Sequence, residues 1–493
     1  MARSLENLQT VAYEEIPLLP EAPYYPASSG QKRMWMIEES GVANYNMSGS
    51  YEITGELSPE LVQKLFLELI ARHEILRTTF TEHEGEVVQV VRPHIETFNV
   101  EFTDLSADAE WENKVGQLLV KEATERFDLR TGPLLRATLV KLAETRFICL
   151  LTMHHIISDG WSVDLMFKEL SQLYIAQVSG IEASLPELRI QYKEYAAWQK
   201  EILEEDNVQK YREYWKSHFS GELPILELPT YNERPEIKTY QGAMLWRQVD
   251  RAVVDDLKEI SRKNGGSLFM ALFSAFNLLL YRYTGSEDLI VGTVEAGRQH
   301  PDLENQLGFY VNTLPIRSRF SGKDTFLDLY TKVRESILGA YQHMLYPFDN
   351  IVSDLNIQWD KSRSPLFDVV FSLLNEDVSG SSSDKNTNDT GGDEANADTR
   401  VRGYKSEIVS SVFDLVMSAK ETPGGLKIDL IYNTDLFTEM QMQVFIDRYL
   451  NLLPQITDDV HTSLSAFKLD GNEEMNAADT DDSESAFDYN FNF

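Results

Sequence analysis

The stretch Thr152–Ser162, TMHHIISDGWS, decides how the chain is read. It closes RFICLLTMHH, a run with the apolar density of a buried strand. It opens WSVDLMFKELSQLYIAQV, whose apolar positions recur at helical spacing. Two imidazoles, a carboxylate and a glycine therefore stand at a strand–turn–helix junction. A metal site, a general base and a polar knot between two pieces of chain all use such residues. Successive strand side chains point to opposite faces, so His154 and His155 do not share one site. One imidazole and one carboxylate are too few ligands for a metal. A knot is the simple reading of a lone histidine. The pair, with Asp159 four positions after His155 and Gly160 at the strand's end, shifts the weight to catalysis.

Outward from the motif, LLRATLVKL and RFICLLTMHH read as two strands joined near Glu144–Arg146. LSPELVQKLFLELIARHEILR opens with Ser58 as N-cap and Pro59 at the first helical position, and Leu61, Leu65, Leu69 and Ile70 give it one apolar face. EVVQVVRP reads as a strand and AEWENKVGQLLVKEATERF as a helix. Residues 181–235 read as a helical connection ending in the Pro-containing LPTYNERPEIK. The second half again mixes strands (GAMLWRQVD, DLIVGTVEAGR, FDVVFSLLN, SVFDLVMSA, GLKIDLIYNT) with helices (SLFMALFSAFNLLLYRY, FLDLYTKVRESILGAYQHM). The class is α+β, with two related lobes expected at 24–180 and 236–460. Residues 1–23 read as a leader, 376–400 as a disordered Ser/Asn/Asp/Gly-rich insertion, and 461–493 as a disordered acidic tail.

The 493 residues carry 79 acids against 45 bases, a formal charge of −34. That balance argues against nucleic acid or an anionic membrane as partner. Much of it lies in Glu376–Asp398 and Asp470–Asp488. The single cysteine, Cys149, excludes an internal disulfide and a multi-cysteine zinc site, and its strand context makes it a core residue. No signal peptide is evident, and LFMALFSAFNLLLY is too short to span a bilayer. The expectation is a cytoplasmic monomer without a metal or bound cofactor. SGKDTF is no phosphate loop, and G-x-S-x-G and H-E-x-x-H are absent. TGGDEAN has Glu394 where a carrier protein would have its modified serine, so this chain carries no prosthetic arm.

HHIISDG resembles the HHxxxDG signature of the condensation domains of nonribosomal peptide synthetases. Other stretches resemble that family's motifs in order. SSGQKRMW (Ser28–Trp35) is similar to SxAQxRxW, and RHEILRTTF (Arg72–Phe80) to RHExLRTxF. YKEYAAWQ (Tyr192–Gln199) is similar to YxDFAxWQ, and LGFYVNTLPIR (Leu307–Arg317) to GxFVNTLxxR. YPFDNIV and KSRSPLFDVVFSL resemble its PFE and SRxPLFxVxF elements. The resemblance covers residues 24–455. It implies two chloramphenicol acetyltransferase-like lobes in a V-shaped pseudo-dimer, with the active site in a central tunnel. It further implies donor and acceptor peptidyl carrier domains as partners, the donor presenting its acyl group on a 4′-phosphopantetheine arm. An acceptor amine attacks the thioester to give an amide and a free thiol, downhill without ATP.

On this resemblance His155 faces the tunnel, either taking the proton as the amine becomes cationic or orienting the amine. A free α-amino group titrates near ~8, so an imidazole base is of most use late in the reaction. Asp159 fixes the turn through an ion pair with Arg298. Gly160 lets a substrate approach the backbone, and its N–H is placed to polarise the thioester oxygen. His154 belongs to the motif as a structural member. Ser158, Trp161 and Arg77 are expected to support the site, Arg77 with Arg72, His73 and Glu74 at a helix end. Asn312, Thr313 and Ser162 are expected to line the tunnel, and Trp35 and Trp198 to be core aromatics.

Two rivals share the fold. An epimerisation domain usually reads DGxSW, whereas here Trp161 precedes Ser162, a form that leans toward an L-configured donor. A non-catalytic recruitment domain tends to have a broken motif, and this one is intact. YEEIPLLPEAPYYPAS resembles a linker following a carrier domain, and the aromatic end ESAFDYNFNF reads as a docking segment for another protein of the synthetase.

Overall fold

The computed structural model describes residues 15–40, 45–204, 208–357, 360–374, 400–404 and 409–469. Most of the expected leader, residues 376–399 of the expected insertion and the tail from 470, with its docking segment, lie outside the described residues.

The first half builds a five-stranded sheet in the order Arg400–Gly403, Asn46–Thr54, Arg146–His154, Leu135–Ala143 and Val100–Asp104. Arg146–His154 is central, antiparallel to both neighbours, and buried from Phe147 to His154. That two-sided burial is why RFICLLTMH reads as a continuous apolar run instead of an alternation. Helix Pro59–Arg72 starts where Ser58 accepts the Leu61 N–H at 3.1 Å and buries Val62, Leu65, Phe66, Leu69 and Ile70. Cys149 lies in this core, and burial pushes its thiol up to about 12.

The second half builds a seven-stranded sheet in the order Asn312–Arg319, Asp288–Glu295, Val369–Leu374, Leu415–Thr422, Gly425–Asn433, Gln241–Asp250 and Val409–Ser410. Helix Leu268–Thr284 lies in its core, capped by Ser267 and closed by Gly285 in the left-handed region at φ 70°. Helices Phe326–Gln342 and Glu439–Asp458 pack on it. No single described helix is long and apolar enough to cross a membrane.

The halves are stitched together in two ways that periodicity did not reveal. Leu303, Leu307, Phe309 and Tyr310, from the second half of the chain, are buried in the first half's core. Strand Arg400–Gly403 pairs antiparallel with Asn46–Thr54, Val401 opposite Ile53. Residues 236–460 are thus not confined to a second lobe, and the expected insertion ends in an ordered strand of the first sheet. A long-range contact holds the added strand on the edge: buried Glu52 accepts Arg146 at 2.8 Å and Arg402 at 3.0 Å. Residues 181–235 contain two helices, Tyr192–Glu204 and Val208–His218, with Trp215 of the second buried in the second core.

Phe371 is fully buried in that core against Phe269, Phe273, Phe276 and Tyr449. Phe371→Ala is expected to lower stability by about 3–5 kcal/mol through lost burial and a residual cavity, read as an earlier urea midpoint.

Candidate active site

The strand carrying the motif ends at His154, and His155–Ile157 form a single 3₁₀ turn. The two imidazoles do diverge, but the turn separates them, not strand alternation alone. His154 is fully buried and His155 half-buried. His154 Nδ1 accepts the Ile156 N–H at 3.0 Å, which places its ring proton on Nε2, 3.5 Å from Glu38. His155 adopts the opposite tautomer. Its Nδ1 lies 2.6 Å from the Ser158 carbonyl oxygen, an atom that only accepts, so Nδ1 carries the proton and Nε2 the lone pair. Burial pulls the His155 pKa below its ordinary value, outweighing the Ser158 carbonyl and the Asp159 charge that raise it. The neutral imidazole is therefore the resting form near neutrality.

Asp159 is the N-cap of helix Gly160–Ser179 and is fully buried. Its Oδ1 accepts the Ser162 N–H at 2.8 Å, the Ser162 hydroxyl at 2.7 Å and Arg298 at 3.1 Å. Its Oδ2 accepts Arg298 at 2.8 Å and the Tyr310 N–H at 3.0 Å. Arg298 also donates to Ser162 Oγ at 2.9 Å and lies against the rings of Tyr310 and Trp161. Trp161 donates its indole N–H to the Glu304 carbonyl at 3.0 Å, sealing that side. The Asp159–Arg298 pair is thus in place, with Trp161 as its cover. Ser158 contributes through its backbone carbonyl.

Three expected positions fall elsewhere. Ser162 does not line a substrate path: as the third residue of the helix its hydroxyl sits under Asp159, buried, and exchanges hydrogen bonds with Gly308. Arg77 does not reach the motif. It donates to the Ile70 and Ala71 carbonyls and caps helix Pro59–Arg72. The support comes instead from Arg72 and His73, which hold Glu169 of helix Gly160–Ser179 at 3.1 and 2.7 Å. Thr313 pairs with Val294 within the sheet. Asn312 donates to the Met344 carbonyl at 2.7 Å and lines a cavity beside the site.

Trp35 is buried as expected, whereas Trp198 lines that same cavity. Two further residues, each a matched letter of a quoted motif but not singled out there, secure the turn and the loop packed on it. Gln31 donates to the Ile156 carbonyl at 3.3 Å, and Tyr192 to the Phe309 carbonyl at 2.6 Å. Phe309 packs edge-on against His155, with ring centroids 4.9 Å apart. Gly308 is required here, since a side chain at its φ of 158° would overlap the Tyr192 ring.

Residues 21–477 match the family model described as Condensation domain, and the chain belongs to that family, which forms amide bonds in nonribosomal peptide synthetases. Tyrocidine synthase 3 of Brevibacillus parabrevis is 36% identical over 471 residues, 95% of this chain and 7% of that protein. Gramicidin S synthase 2 of Brevibacillus brevis is 36% identical over 466 residues, 94% of this chain and 10% of that protein. The chain thus spans a small fraction of the length of these relatives. The teicoplanin-biosynthesis X-domain in complex with OxyB shares the fold at a TM-score of 0.81 and 22% identity, covering 93% of this chain and 99% of that one. So does the starter condensation domain of rhizomide synthetase, at 0.74 and 17%, covering 90% and 97%.

Removing Arg298 would leave a fully buried carboxylate with its cation gone. Arg298→Ala is expected to cost about 3–5 kcal/mol. Arg298→Lys should recover only part of this, because an ammonium cannot supply the bidentate fork. Equilibrium unfolding in urea checks both.

Proposed function

We propose that this chain joins a carrier-bound acyl or peptidyl thioester to an acceptor amine, with His155 as the group that receives the amine's proton. The observation that carries the proposal is the fixed tautomer of His155. Its proton is tied to the Ser158 carbonyl, so Nε2 of this half-buried ring is left with the lone pair. The nitrogen of the amine forms a bond to the thioester carbon and becomes cationic in the tetrahedral intermediate. His155 Nε2 takes that proton, the C–S bond breaks, and the thiolate leaves to be protonated as the free thiol.

Gly160 supports the seat of the donor. It is exposed, its φ lies outside the left-handed region, and a Cβ there would meet nothing within 4 Å. Neither strain nor packing calls for a glycine, which leaves room for an approaching group as the reason for one. As the first residue of its helix its N–H has no intrahelical acceptor and is placed to polarise the thioester oxygen. The 4′-phosphopantetheine arm of a donor carrier domain would supply the thioester along this face, and a second carrier domain the acceptor. A V-shaped pair of lobes around a tunnel, and a cytoplasmic setting among other synthetase domains, belong to the same reading. His154, sealed against Glu38, is a positioning residue in it, and Asp159 with Arg298 holds the turn.

The X-domain bound to OxyB keeps a recruitment role in view as the second reading. The correctly protonated His155 favours catalysis over it.

With donor and acceptor carrier proteins loaded in trans, His155→Ala is expected to lower the amide-forming rate by about 10²–10⁴-fold. Wild-type rate against pH checks the same assignment. Only neutral His155 accepts a proton, and its pKa is lowered, so the acid limb should fall below the ordinary histidine value of ~6.5. Full activity in His155→Ala would remove the assignment, and product from no wild-type pairing would favour recruitment.

A further inference from the structure

Beside Phe309, the ring that packs against His155, lies a cavity between helix Ser29–Ser40, helix Tyr192–Glu204, the loop after strand Asp288–Glu295 and the Met344–Asp349 segment. No residue of helix Gly160–Ser179 lines it, so it stands apart from the proposed donor seat at Gly160. Its apolar walls include Trp198, Leu303, Phe309 and Phe348. The titratable groups on its walls are Arg33, Tyr195, Glu295, His300, Tyr310 and Asp349.

Two carboxyls therefore face one guanidinium, and that guanidinium is held 3.6 Å from Asp349. Glu295 accepts the Gly297 N–H at 2.6 Å and the Gln299 side chain, and feels the Arg298 guanidinium only as a neighbouring charge, without a direct ion pair among the described residues. The side chain of Tyr310 is buried, and its hydroxyl has no hydrogen-bond partner among the described residues. A buried hydroxyl left without a partner is costly, and it points to a ligand that supplies one. The excess of carboxyls repels the phosphate of a pantetheine arm and any substrate carboxylate. Three oxygen acceptors in an aromatic-walled cavity match the three N–H donors of an alkylammonium.

We propose that this cavity receives a positively charged side chain on the acceptor, a primary ammonium held by Glu295, Asp349 and the Tyr310 hydroxyl. The assignment rests on the amide-forming reading above and adds the substrate class to it. Glu295 ends its strand and Arg298 follows three residues on, so the rigid Asp159 pair fixes the receptor as well. Burial raises the carboxyl pKa values of Glu295 and Asp349, so both lose their charge sooner than ordinary carboxyls on acidification. Selection for the cation should accordingly weaken as pH falls.

The test is a competition between acceptor carrier proteins loaded with L-lysine and with its uncharged near-isostere L-norleucine, against one donor. Wild type is expected to favour the lysyl product by at least about tenfold. Glu295→Gln, which keeps the acceptor for Gly297, should bring the ratio close to one. Glu295→Lys should turn the preference toward a glutamyl acceptor. A wild-type ratio near one, or a preference untouched by Glu295→Gln and Asp349→Asn, overturns the cation site while leaving amide formation standing. Absence of product with every acceptor overturns the reading beneath it as well.

Discussion

The carboxylate of Asp159 is the point on which the rest depends. It accepts five hydrogen bonds, from the Ser162 backbone, the Ser162 hydroxyl, both Arg298 terminal nitrogens and the Tyr310 backbone. Taking such a charge out of water costs several kcal/mol, and only nearly complete satisfaction of its lone pairs offsets that. The arrangement earns its place by what it fixes at once. As an N-cap it sets where the helix begins, and so the position of Gly160. As a partner of Arg298 and Tyr310 it sets the loop from the other half of the chain. An apolar pair of equal volume would pack as tightly, but it would hold neither the helix start nor the loop in register.

The neighbouring histidines show how little of a residue's role lies in its type. Both are neutral-capable imidazoles one peptide apart, yet one presents its proton outward toward Glu38 and the other presents a lone pair. The difference is set by backbone: an N–H aimed at one Nδ1 and a carbonyl oxygen aimed at the other. A substitution that kept both histidines but altered the 3₁₀ turn would change the tautomer of His155 without touching its ring.

The sequence carried the elements whose determinants are local. Ser58 caps the helix its position suggests, and the apolar run of Arg146–His154 is the buried strand its density indicates. Asp159 with Arg298 was legible only through the family pattern, since 139 positions separate them. What stayed hidden depends on where distant segments meet. Ser162 looked like a lining residue because nothing in DGWS says which way its hydroxyl turns. Trp198 looked like core because a half-exposed aromatic and a buried one have the same periodicity. Tyr310 and Glu295 became interesting only once a cavity placed them together. RVRG at 400–403 is too short and polar to announce a strand, and its pairing is dictated by Glu52, some 350 positions earlier.

That last pairing bears on how the protein comes into being. On a ribosome the strand Asn46–Thr54 emerges about 350 residues before its outer neighbour. Until then the first sheet has an open edge, a row of backbone donors and acceptors available to any strand, including one from another nascent chain. Loop closure over such a span is slow relative to local helix formation. Strand Asn46–Thr54 alternates Met47, Tyr51 and Ile53 with Ser48, Ser50 and Glu52, and the inward carboxylate of buried Glu52 is what disfavours the wrong neighbour. The unfinished edge is therefore guarded by Glu52, which Arg146 already pairs, until Arg402 joins them and the edge closes.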